Sequence, residues 1–202
     1  MVDKIDYERE LFSTFMQKAE DLGLKFKGKK LLTIGERTPD FKIIEASKHG
    51  WQIDILEAFP HNLQYICRNP YIGHEIFAKT NFRLIQGDII DTLKNKDNEQ
   101  LDYSKFDLVW WFHGIEHLTK QEGEKVLREL IKRSKVIIMS MPHGVFEQSP
   151  EDLSGQNNPY ELHKSAWYPI DFEGLKAVTF VEGAPDMRSS MDVFIKGDLY
   201  EE

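Results

Sequence analysis

The 202-residue sequence has a single cysteine, Cys67. A lone thiol excludes an internal disulfide framework and any zinc site built from clustered cysteines. No apolar run approaches the ~20 residues that a membrane-spanning helix needs. The opening MVDKIDYERE is too charged for a signal peptide. Positive charge is also scarce: 26 Lys and Arg stand against 34 Asp and Glu, giving a formal net charge of −8 and a pI near 5.4. With no overall positive field to draw in phosphates, neither extended nucleic acid nor a membrane surface is an expected partner. What remains is 41% hydrophobic and 30% charged residues, the composition of a globular domain in a reducing, cytoplasmic setting. At this length a single domain over residues 1–202 is expected.

Apolar spacing supplies the elements. Ile5, Leu11, Phe12, Phe15, Met16, Ala19 and Leu22 recur near helical spacing, predicting an amphipathic helix within 1–24, closed by Gly23. Short apolar runs follow at 31–34, 51–56, 82–85, 106–112 and 135–140. Runs of this kind are typical of strands buried on both faces of a parallel sheet. Helix-like segments lie between them at 41–48, 61–67 and 121–134. Cys67 is expected to pack within the second of these. Strand–helix alternation predicts a doubly wound, Rossmann-like α/β fold. Two further runs, 177–181 and 191–196, have no helix between them and should form an antiparallel hairpin at the sheet edge. With them the mostly parallel sheet has seven strands. Segment 142–169 is rich in Pro, Asn, Ser, Gly and His, and a loop that long inside a domain is usually functional. Residues 143–168 are therefore expected to form a lid over the substrate.

In such a fold, ligands sit beyond the carboxyl ends of the strands, where strand order reverses. The residues leaving each strand are the candidates: Gly35-Glu36, Glu57, Gly87-Asp88-Ile89, His113 through His117, and His143. An acidic residue about 20 positions after the first turn suits a ribose, because a carboxylate accepts two hydroxyl bonds, and Glu57 has that spacing. Trp110-Trp111 should alternate between the two faces of their strand as core. His113-x-x-Glu116-His117 matches an inverted zinc-protease pattern. That pattern needs a helix, whereas here it directly follows a strand, which argues against a protease.

Several motifs together resemble the class I S-adenosyl-L-methionine (SAM)-dependent methyltransferases. Glu57-x-x-Pro60-x-x-Leu63 is similar to their ribose-binding acidic motif, and Gln86-Gly87-Asp88-Ile89 to the segment that holds adenine. Phe106-Asp107-Leu108-Val109 with His113-x-x-Glu116-His117-Leu118 resembles their fourth strand and its exit. The likeness spans about residues 30–196. It implies SAM as cofactor, bound by Gly35, Glu36, Glu57, Asp88, Ile89 and His113. It also implies methyl transfer to an oxygen or nitrogen of a small-molecule or nucleotide-like substrate, with His113, His143 and His163 as candidate bases.

Two features complicate this resemblance. The family's first loop reads acidic-x-Gly-x-Gly-x-Gly, while Thr33-Ile34-Gly35-Glu36-Arg37-Thr38-Pro39 keeps only the first glycine. Either the loop turns differently, with Thr38 capping a helix begun by Pro39, or the cofactor is lost and the domain is a catalytically inactive binding or scaffold subunit. Second, His163-Lys164-Ser165-x-Trp167-x-x-x-Asp171-Phe172 resembles a methyltransferase segment, and the small-RNA 3′-terminal 2′-O-methyltransferases bind a divalent cation with Glu-x-x-Glu-His and a later His. Carried over, His113, Glu116, His117 and His163 become candidate metal ligands. Three imidazoles and one carboxylate suit Zn²⁺, Fe²⁺ or Ni²⁺ better than Mg²⁺. His117 could equally be a satisfied loop histidine.

Overall fold

A computed structural model describes residues 2–25, 29–35, 46–68, 82–94, 105–148, 158–183 and 189–200. The apolar runs become strands β1 (Lys30–Ile34), β2 (Gln52–Glu57), β3 (Phe82–Gln86), β4 (Phe106–Phe112), β5 (Ser134–Pro142), β6 (Ala177–Glu182) and β7 (Ser190–Lys196). They form one sheet in the order β3-β2-β1-β4-β5-β7-β6. The first five strands run parallel to one another, and β7 runs antiparallel to both β5 and β6. The expected architecture is present, with one refinement. The hairpin folds back so that β7 seats against β5, and β6 becomes the outermost strand. Burial explains the choice: β7 carries Val193, Phe194 and Ile195, all fully buried, whereas Val178, Phe180 and Val181 of β6 stay exposed.

Helix α1 (Val2–Asp21) covers one face, and α4 (Lys120–Arg133) covers the other. On the α1 side Phe12, Phe15 and Ala19 bury against the sheet. Phe12 stacks on Trp110 with ring centroids 5.5 Å apart, and Phe15 lies 5.9 Å from Phe194. On the α4 side Val126, Leu127 and Leu130 join a cluster with Trp111, Ile137 and Ile195. Trp110 and Trp111 thus point to opposite faces, as the two-residue period of a strand requires. The start of α4 is marked by a capping box: the Thr119 hydroxyl accepts from the Glu122 amide, and the Glu122 carboxylate accepts from the Thr119 amide.

Short helices α2 (Pro60–Arg68) and α3 (Ile89–Lys94) follow β2 and β3. The second was not anticipated, because six residues are too few for a readable period. Cys67 is exposed on α2 and does not pack as expected. In the segment expected to be helical over 41–48, residues 46–48 are helical, and the rest lies outside the described residues. No helix among the described residues is long and apolar enough to cross a membrane.

Candidate active site

Strand order reverses between β1 and β4, and a cavity of about 1050 Å³ opens over the carboxyl ends there. That volume is ample for a nucleoside cofactor with an acceptor beside it. On the β1–β2–β3 side the turns are stitched across strands: the Gly35 amide donates to the Leu56 carbonyl at 2.9 Å, and the Gly87 amide to Glu57 at 3.0 Å. Gly35 has φ of +73°, the region that glycine adopts without strain. A Cβ added there would meet no atom of the described residues within 4 Å.

Glu57 ends β2, directly in register with Gln86 on β3, which places Asp88 just beyond the neighbouring strand. Glu57 is buried, and one of its carboxylate oxygens accepts from the Phe59 amide at 2.7 Å. Asp88 accepts from the Ile90 amide at 2.7 Å, capping α3. The first amides of a helix have no partner within it. The Asp88–Ile89 junction therefore offers an acceptor and donors side by side. Glu36 lies outside the described residues, as do Arg37, Thr38 and Pro39.

The β4 exit is built differently. His113 has φ of +48°, an uncommon conformation for a residue with a side chain. Its amide continues the ladder by donating to the Ser140 carbonyl at 2.8 Å. Gly114 follows because a Cβ there would collide with the Trp111 indole. The chain then makes one 3₁₀ turn, Ile115–His117. This places Glu116 at 2% exposure, with neither carboxylate oxygen hydrogen-bonded among the described residues. His113 Nδ1 stands 3.5 Å from one of those oxygens without making a hydrogen bond.

The distant segment comes in here. The Lys164 and Ser165 amides both donate to the Glu116 carbonyl, at 2.8 and 3.1 Å. Trp167 anchors them: its indole N–H donates to Ser165 Oγ at 2.8 Å, and Lys120 Nζ lies 3.8 Å above its ring. Lys120 also binds Asp171 at 2.5 Å and the Ala166 carbonyl at 2.8 Å. Ligand atoms of Glu116, His117 and His163 consequently lie within 4.8 Å of one another. Of the four candidate ligands, three converge; His113 faces Glu116 but is not part of that trio. Each histidine of the trio turns Nδ1 to a backbone carbonyl, His163 to Phe146 at 2.7 Å and His117 to Leu162 at 3.3 Å. A proton held on Nδ1 leaves Nε2 with its lone pair, the arrangement that metal-binding histidines use. Burial is the largest influence on His163 and pushes it below the usual imidazole range. His117 and His113 push the same way, against the Glu116 carboxylate and the Phe146 carbonyl.

His143 falls elsewhere. Its ring packs edge-on against Tyr168, its Nδ1 is 3.3 Å from Ser189 Oγ, and it is not part of the cavity lining. The long segment does border the cavity, through Phe146, Gln148, Asn158, Glu161 and His163, while 149–157 lie outside the described residues. Sequence reasoning missed Lys18, Ser140, Glu161 and Asp192, which also line the cavity.

No family profile and no curated protein matches the sequence. Solved structures do. The N-terminal domain of EvdMO1, solved in the presence of S-adenosylhomocysteine (SAH) and D-fucose, matches with TM-score 0.60 and 16% identity, over 94% of this chain and 82% of that one. The methyltransferase domain of bacterial CtHen1-CN gives TM-score 0.56 and 16% identity, over 95% and 99%. Magnesium protoporphyrin IX methyltransferase (ChlM) from Synechocystis PCC 6803, with bound SAM, gives 0.58 and 12%, over 94% and 79%. The chain has the class I methyltransferase fold that its motifs implied.

Proposed function

We propose that this protein is a SAM-dependent methyltransferase acting on an oxygen or nitrogen of a small-molecule or nucleotide-like acceptor, with a divalent cation held by Glu116, His117 and His163. The observation that carries the reading is the pair of carboxylates, Glu57 and Asp88, at the ends of adjacent parallel strands and opening with Gly35 into one cavity. These residues fit the cofactor. Glu57 can accept ribose hydroxyls, and Asp88 with the first amides of α3 can meet the edge of adenine. Gly35 lines the same cavity, on the side left for the methionyl part. The solved neighbours with bound SAM or SAH support the same assignment.

Bound there, SAM would supply an electrophilic methyl carbon for transfer to an acceptor lone pair. The chain contributes position and proton handling. His113, exposed to the cavity at the β4 exit, takes the acceptor's proton. Glu116 supports the metal assignment, because a carboxylate buried without any hydrogen bond is costly unless an ion completes it. A cation at this trio would polarise an acceptor oxygen. One carboxylate and two imidazoles suit Zn²⁺, Fe²⁺ or Ni²⁺.

Titration calorimetry with SAH tests the reading. The wild-type chain should bind, and Glu57→Ala should weaken binding about 100-fold, the size of a lost hydrogen bond to a charged group. Absence of heat at about 1 mM SAH with folded protein would overturn it.

A further inference from the structure

The sheet face beneath α1 changes character along its length. Trp110, Ile138 and Phe194 form one cross-strand row on β4, β5 and β7, and all three are buried. Two residues nearer the cavity, the same face carries Phe112, Ser140 and Asp192, again in register. An apolar floor thus ends in a hydroxyl and a carboxylate, both buried. Buried carboxylates need partners. Asp192 receives Lys18 from α1 at 3.3 Å, but the same ammonium lies closer, at 2.9 Å, to Glu182 on β6. Ser189 and Ser190 add hydroxyls at this end of the lining, and Phe15 and Phe112 meet edge-on at 4.8 Å beside them. The patch adjoins His113, whose amide is fixed by the Ser140 carbonyl.

We propose that this end of the cavity is the acceptor subsite and that it takes a neutral, polyhydroxylated ring of the glycoside class. The proposal rests on the methyltransferase reading for its place beside the cofactor. Its chemistry comes from the patch. Serine hydroxyls and carboxylates together donate to and accept from vicinal hydroxyls, and Phe15 and Phe112 in the lining supply apolar aromatic surface for the C–H face of such a ring. Charge sets the limit. Among the described residues the cavity is lined by seven carboxylates and two lysines, Lys18 and Lys164. That field repels a phosphate, and one divalent ion offsets only part of it.

Saturation-transfer NMR on the full chain with SAH present tests this, using methyl α-D-glucopyranoside and glucose 6-phosphate as probes, while calorimetry reports SAH binding on the same samples. The neutral glycoside should receive saturation and the phosphate ester should not. Asp192→Asn and, independently, Ser190→Ala should each weaken the glycoside signal about fivefold, the scale of one hydrogen bond. A phosphate ester signal equal to or above that of the glycoside overturns the proposal. So does a glycoside signal unchanged in both variants, or no glycoside signal at about 10 mM while SAH still binds. Glycoside saturation without SAH binding keeps the subsite and overturns the methyltransferase reading instead.

Discussion

The two halves of the cavity are built on different length scales. Over β1, β2 and β3 each carboxylate is fixed by an amide two residues further along: Glu57 by Phe59, Asp88 by Ile90. Over β4, β5 and β7 the acidic residues are held from far away. The Glu116 backbone carbonyl accepts from the Lys164 and Ser165 amides, and the Asp192 carboxylate from Lys18, 174 residues earlier in the chain. A locally held site needs little beyond its own strand end. A remotely held one exists only while distant segments stay docked, so it should fail first when packing is disturbed.

Trp167→Ala tests that difference most severely. Trp167 is 1% exposed and packs within 2.6 Å of the position a Cβ would take on Gly123. Its truncation should cost about 3–5 kcal/mol in denaturant unfolding. In protein that remains folded, it should abolish stoichiometric metal while leaving SAH affinity within about twofold. Equal losses of both would show that the halves are not separately built. Glu116→Gln should produce a smaller and opposite effect. Removing a carboxylate with no hydrogen bond should stabilise the metal-free protein by about 1 kcal/mol, read as a higher melting temperature in EDTA. The rise in melting temperature on adding Zn²⁺ should vanish. An unchanged Zn²⁺ response would remove Glu116 from the ligand set.

The smallest effect concerns Lys18. Burial pulls its pKa down, but Glu182 and Asp192 outweigh that and hold it above the usual lysine value. A raised pKa means the folded state holds the proton more tightly than the unfolded chain. The stabilisation is therefore complete below pH ~10.5 and lost as pH rises through the folded-state value. The gap in urea midpoint between wild type and Lys18→Met should narrow over that range. A gap that stays constant would mean that the ion pairs contribute nothing.

The same contrast governs what the sequence revealed. Strands β1 to β5 were legible because strands of a parallel sheet are covered on both faces and read as unbroken apolar runs. Glu57, Asp88 and Gly35 were legible because strand ends carry them at fixed offsets. Thr119-x-x-Glu122 carries the capping-box spacing that starts α4. The seating of β7 against β5 was not legible, since spacing shows a hairpin but not which arm is inner. Asp192 left a faint signal, a charge inside the apolar run MDVFIK. Lys18 left none, because on an amphipathic helix it resembles any solvated lysine.

The docking of α1 has a consequence for biogenesis. Phe12 and Phe15 are synthesised well before Trp110 and Phe194, yet those two rings make their resting place. On a ribosome that helix must wait with its apolar side unsheltered until β7, which carries Phe194, has emerged. An element made before every strand of the sheet it covers thus settles after them, and a chaperone has a long opportunity there.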